Sequence, residues 1–294
     1  MKTPRLFLLI CTLAMGLALQ SAAWGYSVTA DTQFTWLNSS FSATGHGTSV
    51  PPSSIVPGAS GAGSTYDGAF ANSYSGWSFS AAAVQDYAVF YARASSQAHR
   101  DSPGNDFEAW QTFATGTFIE TLTIPSAPVG VAYGSTGQLM MGWDVTGSSS
   151  SGTAGSTYLA MFATTSPSLP NTNSNTAAIA STGHYDLVSP ISFYFDTPFQ
   201  LTIRSSLSAA VGYDYRYSTA PPNFIDAASG DFLHTVILAS VGVFDSAGTS
   251  LNNFIITTDS GRPFLPAAVP LPSTLLLLGP ALAGLVVMRR RFKE

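Results

Sequence analysis

The sequence predicts an all-β protein whose main body is an antiparallel β-sandwich, jelly-roll-like in character, flanked by an N-terminal signal peptide and a C-terminal transmembrane helix. Three observations carry this expectation. Apolar and polar residues alternate over short runs, clusters of Gly, Ser, Asn, Asp and Pro separate those runs, and the two continuous apolar segments lie at the chain ends.

The strands come first. Phe118, Glu120, Leu122 and Ile124 alternate with Ile119, Thr121 and Thr123, and the run stops at Pro125. Phe199-Gln200-Leu201-Thr202-Ile203-Arg204-Ser205 is apolar on one face and polar on the other. The same period appears in Trp77, Phe79 and Ala81, in Tyr87, Val89 and Tyr91, and in Tyr213, Tyr215 and Tyr217. Such alternation marks antiparallel strands with one buried face. Residues 232–260 read as two adjoining strands: a β-branched run from His234 toward Phe244, turn chemistry at Asp245-Ser246-Ala247-Gly248, and a return at Phe254-Ile255-Ile256-Thr257-Thr258.

Residues 39–65, 147–156 and 166–183 read as loops, being dominated by Ser, Gly, Thr, Asn and Pro. They serve either as linkers between two domains or as long loops of one. Strand patterns continue on both sides without a change of composition, which favours one domain over residues 24–262.

Residues 1–23 have the three parts of a secretory signal. Lys2 and Arg5 form a positive start, an apolar stretch follows, and Ser21-Ala22-Ala23 is a small-residue cleavage site, with cutting expected between Ala23 and Trp24 and the next site, Ala23-Trp24-Gly25, as the alternative. Cys11 is the only cysteine and lies in this segment, so the processed chain has no disulfide, thiol nucleophile or thiolate ligand. At the far end, residues 271–288 form a long, mainly apolar stretch. As a helix they reach about 27 Å, enough for a bilayer core. Arg289, Arg290, Arg291 and Lys293 follow at once, and by the positive-inside rule this tail stays cytoplasmic while the preceding body faces out. Both ends give the same topology.

The arrangement Val269-Pro270-Leu271-Pro272-Ser273, a Leu-rich helix and a terminal basic cluster resembles the PEP-CTERM sorting signal of Gram-negative bacteria, in its VPLPA-like variant. The resemblance covers residues 263–294, with Leu271 standing where Pro-Glu-Pro has its glutamate. It implies passage through the Sec translocon, cleavage by signal peptidase, transient residence in the inner membrane and recognition by exosortase. The implied destination is the cell surface or extracellular matrix, in association with exopolysaccharide and biofilm. The prolines themselves favour an extended backbone, the form a protease grips.

Composition narrows the function further. Charged residues make up only 9% of the 294 residues, against about a quarter in ordinary globular proteins. Outside the two terminal segments the basic residues are Arg93, Arg100, Arg204, Arg216 and Arg262, outnumbered threefold by Asp and Glu. A lysine-free acidic body is a poor partner for nucleic acid.

No catalytic constellation stands out. His46, His99, His184 and His234 are far apart in sequence, and Gly58-Ala59-Ser60-Gly61-Ala62 lacks the last glycine of a nucleophile elbow. Asp101, Asp106 and Glu108 form the densest carboxylate group. Hard oxygens on a turn suit calcium, but the EF-hand spacing is absent and a solvated turn is the ordinary reading. No metal or cofactor is therefore expected. Tyr213, Tyr215 and Tyr217, with Trp36, Trp77, Trp110 and Trp143, are candidate sugar contacts, although aromatics are also the usual stuff of sandwich cores.

The expected function is that of a non-enzymatic, exported structural protein of the cell surface or matrix. The alternative is a carbohydrate-binding module that recognises exopolysaccharide, and a secreted hydrolase ranks third.

Overall fold

The computed structural model describes residues 26–38, 42–56, 60–71, 75–100, 107–152, 155–166, 169, 171–214 and 224–264. The signal segment, the sorting motif, the apolar stretch 271–288 and the basic tail lie outside them. Among the described residues no helix is long and apolar enough to cross a membrane.

Among the described residues sixteen strands follow in chain order: β1 (Tyr26–Asn38), β2 (Ser42–His46), β3 (Thr48–Val50), β4 (Ala62–Ala71), β5 (Ser75–Asp86), β6 (Val89–Arg100), β7 (Phe107–Thr123) and β8 (Thr136–Ser151) form the first half. The second half is β9 (Gly155–Ser166), β10 (Asn173–Asn175), β11 (Ser181–Asp186), β12 (Ile191–Tyr194), β13 (Phe199–Asp214), β14 (Phe224–Asp245), β15 (Ser250–Leu251) and β16 (Thr257–Thr258). They make two antiparallel sheets. One has the order β10-β9-β13-β7-β1-β2, with β16 also on β7; the other runs β11-β8-β14-β6-β5-β4-β3, with β12 on β8 and β15 on β14.

The sheets bury facing rows of side chains. Phe118, Leu122 and Ile124 of the first predicted strand run are fully buried, as are Leu201 and Leu207 of β13. Opposite them stand Phe90, Leu139, Met141, Trp143, Val236 and Leu238. Each such side chain stabilises the fold by about 1.5–3 kcal/mol relative to exposure. The core then changes character along its length. Ala81, Ala83, Ala92, Ala94, Ala114 and Ala209 are each at most 1% exposed, and hydroxyls bridge the sheets among them. Thr32 meets Ser64 at 2.8 Å, and Ser96 meets Thr112 at 2.6 Å while donating to the Ala209 carbonyl at 2.9 Å. Buried hydroxyls are tolerated there because they satisfy one another.

Crossings between the sheets depend on small residues. Gly47 joins β2 to β3, its N–H donating to the Thr32 carbonyl at 2.7 Å; a Cβ there would lie 2.5 Å from the Thr65 carbonyl oxygen. The opposite side of the sandwich is closed by a seam. β10 pairs with β9 on one edge, while on its other edge Asn175 accepts from Val188 N–H at 2.8 Å and Thr176 bridges to Leu187. Asn171, at φ 61°, turns the chain into this seam, a left-handed conformation that asparagine tolerates better than most residues.

Several expectations are corrected. The Ser/Thr-rich stretches taken as loops contain strands: β2, β3 and the start of β4 fall in 39–65, β8 runs through Ser148 to Ser151, and β10 falls in 166–183. Polar composition misleads because the outward face of a sheet is itself polar. In β6 the buried face is Phe90, Ala92, Ala94 and Ser96, not the row of Val89 and Tyr91. Tyr87 and Ala88 are instead the two-residue turn after β5, with Ala88 at φ 54°. Finally, β14 does not turn back through Phe254. The Asp245 carboxylate accepts from the Thr249 and Ala247 N–H groups, which holds its pKa below the usual range. Ser250–Leu251 then pairs back on β14, whereas Thr257–Thr258 crosses to β7.

Candidate functional site

The two ends of the described domain meet at one pole. Tyr26 opens β1, two residues beyond Trp24, and its ring stands edge-on to Tyr87 with centroids 5.1 Å apart. Tyr87 in turn packs against buried Phe118 at 5.0 Å. The guanidinium of Arg262 lies over both tyrosines, 4.8 Å from the Tyr26 centroid and 5.4 Å from that of Tyr87, a cation held by ring quadrupoles. Burial pushes the Tyr87 phenol pKa up, against the lowering effect of its hydrogen bond with Ser260.

The strap that carries Arg262 is fastened at four points. Thr257–Thr258 pairs with Leu122 and Thr123, and Asp259 N–H donates to the Thr121 carbonyl at 3.1 Å. Thr258 Oγ1 donates to the Arg262 carbonyl at 2.6 Å across a turn in which Gly261 has φ 70°. Ser260 Oγ donates to Glu120 Oε2 at 2.5 Å, and Glu120 Oε1 accepts from Thr121 N–H at 3.0 Å. Phe264, 2% exposed, then enters the core as the last described residue. Glu120 is completely buried in the row of Phe118 and Leu122. A carboxylate in an inward-facing row demands a partner, so its place in that alternation was the signal for the strap. Nothing near Ser260 or Arg262 in sequence indicated it.

The opposite pole receives other candidates. Glu108 and Tyr213 are register partners at the ends of β7 and β13, next to the pair Phe107 and Asp214. Asp101, Asp106, Tyr215 and Tyr217 lie outside the described residues. Trp143 is 2% exposed and belongs to the core. Trp36 and Trp110 are register partners on β1 and β7.

A third cluster sits on the outer face of β8 and β11. His184 Nδ1 is 2.7 Å from Asp144 Oδ1 and its Nε2 is 3.3 Å from Asp186 Oδ1. Gly142 provides the gap: a Cβ there would lie 2.7 Å from Nε2 and 2.3 Å from Asp186 Oδ1. The hydrogen bond with Asp144 raises the His184 pKa above 6.5, with Asp186 adding to it. Strand alternation in His184-Tyr185-Asp186 puts the histidine and the second aspartate on one face; Asp144 joins them only through strand pairing. His46 likewise meets Asp31 at 3.2 Å. Among the described residues no group of three His, Cys, Asp or Glu could hold a metal ion.

No family model matches the chain, and no curated protein does. Among solved structures, one described as "Structural basis for the promiscuous specificity of the carbohydrate-binding modules from the beta-sandwich super family" is similar at 9% identity over 70% of this chain and 85% of that one. The TM-score of that pair is 0.17. The antiparallel two-sheet architecture rests on the strand pairing itself.

Proposed function

We propose that the protein is an exported, non-enzymatic structural protein of the cell surface or extracellular matrix, sorted through its C-terminal segment. The supporting observation is the shared pole. Tyr26, just past the expected cut at Ala23 and Trp24, is stacked by Arg262, which precedes Val269-Pro270-Leu271-Pro272-Ser273 by seven residues. Both ends of the sandwich leave from one place, as suits a body passed through the membrane at one end and tethered at the other. Buried Phe264 and the Ser260 to Glu120 bond fasten the strap to the body between β16 and the tail.

In this reading the Sec translocon and signal peptidase act on residues 1–23, the inner membrane holds residues 271–288, and exosortase acts at 269–273. The test is to fractionate cells with and without exosortase and weigh the mature protein. The expected mature form starts at Trp24 and lacks the basic tail. A mature form in exosortase-containing cells that still ends with Arg289, Arg290, Arg291 and Lys293 overturns the reading.

A further inference from the structure

The seam that closes the sandwich also makes a groove on its outside. Phe162 and Thr164 of β9 face outward beside Asn175 and Asn173 of β10, their register partners. Val188 and Ser189, from the connection between β11 and β12, form the facing wall, and the groove has a volume of about 460 Å³. Phe162 is 40% exposed and Val188 is 70% exposed. Two apolar side chains left to solvent on either side of one concave place are more informative than scattered ones.

The groove is preorganised. Val188 N–H donates to the Asn175 carbonyl at 2.8 Å, Ser189 N–H to Ser174 Oγ at 3.1 Å, and Ser192 N–H to the Asn171 carbonyl at 2.9 Å. Asn175 is oriented by its Nδ2, which donates to the Thr176 carbonyl at 2.9 Å. The side chains of Asn173 and Thr164 make no hydrogen bond within the described residues. Fixing these groups before a ligand arrives removes part of the ordering cost of binding.

We propose that this groove binds a neutral polysaccharide chain. Its lining contains a ring face, an isopropyl group, two amides and hydroxyls, and no charged side chain. That set matches a sugar, whose ring presents an apolar C–H face and whose rim presents hydroxyls that both donate and accept. Strand addition by a peptide or a second copy fits poorly, because β10 is already bonded along both edges. The amides of Asn173 and Asn175 stand about 7 Å apart along the strand, so they reach successive parts of one extended chain. The groove is independent of how the chain is sorted.

The test uses the full chain in a zwitterionic, sugar-free detergent, electrophoresed through native gels containing xylan, laminarin, galactomannan or hydroxyethyl cellulose. At least one should retard it. Phe162→Ala should weaken that retardation at least tenfold and Asn173→Ala at least threefold, whereas Phe162→Tyr, which keeps the ring, should preserve it. Tyr133→Ala, at an 81% exposed ring outside the groove, should change nothing. Retardation by none of the four, or equal retardation of wild type and Phe162→Ala, overturns the proposal. So does a dimer in sedimentation that Phe162→Ala dissolves, since the groove would then be a self-contact. Because binding is measured on the isolated chain, failure of the export reading leaves this result unaffected.

Discussion

Replacing Ser260 with alanine should loosen the strap from the core at a cost that can be worked from its bonds. Glu120 is 0% exposed. It accepts one hydrogen bond on each oxygen, from Thr121 N–H at 3.0 Å and from Ser260 Oγ at 2.5 Å. Alanine removes the second. A hydrogen bond to a carboxylate contributes about 1.5–3 kcal/mol, and a buried one left short of a partner forfeits its compensation for lost hydration. We expect a loss of about 2 kcal/mol. With a urea dependence of about 3 kcal/mol per M for a domain of this size, the unfolding midpoint should fall by about 0.7 M. Tryptophan fluorescence reports it, since Trp143 is 2% exposed in the same core. The control is Glu120→Met, which removes the carboxylate at similar volume; in that background Ser260→Ala should cost less than about 0.5 kcal/mol. A midpoint shift below about 0.2 M, or an equal serine effect in both backgrounds, refutes the coupling.

Gly116→Ala should be costlier than its single methyl implies. The new Cβ would lie 2.4 Å from Gln85 Oε1 and 2.7 Å from the Phe90 ring, so overpacking of about 1–3 kcal/mol is expected; calorimetry should show a fall of about 2–4 °C per kcal/mol. Ser96→Ala should cost about 1–3 kcal/mol in chemical denaturation, because it removes the buried Thr112 hydroxyl's partner and one of the bonds that the Ala209 carbonyl accepts. The His184 clasp should titrate above 6.5 by NMR, and Asp144→Asn should bring it down. As a histidine with a raised folded pKa, it adds stability that is fully present below 6.5 and lost as pH rises through that folded value. The contribution is small because the side chain is 45% exposed. A stability that instead grows with pH over that window, with the other groups held fixed, contradicts the assignment.

Local pattern and tertiary pairing divided the information unevenly. The strand class, the inward rows at Phe118 and Leu122 and at Leu201 and Ile203, and the turn at Asp245 were readable, because a period of two and a turn's bonding chemistry are written in neighbouring residues. Polar strands such as β2, β3 and β10 were not. A strand whose outward face is Ser, Thr and Asn has the composition of a loop until its neighbour supplies the ladder. The inverted face of β6 has the same origin: Tyr87 and Tyr91 are large and apolar enough to mimic a buried row, and only the two-residue turn at Tyr87 and Ala88 sets the register.

The sequence by itself determined that the chain is built of antiparallel strands, that its body is acidic and free of lysine and cysteine, and which segments at its two ends are mainly apolar. Those properties are sums over residues or short-range periods, so no partner is needed to see them. Tertiary structure alone decided that Glu120 is answered by Ser260, that Arg262 stacks on Tyr26 and Tyr87, and that Phe162 and Val188 share one groove. Each of these joins residues whose separation along the chain is set by strand order. Strand order depends on which edges pair across the sandwich, a long-range choice that local alternation leaves open.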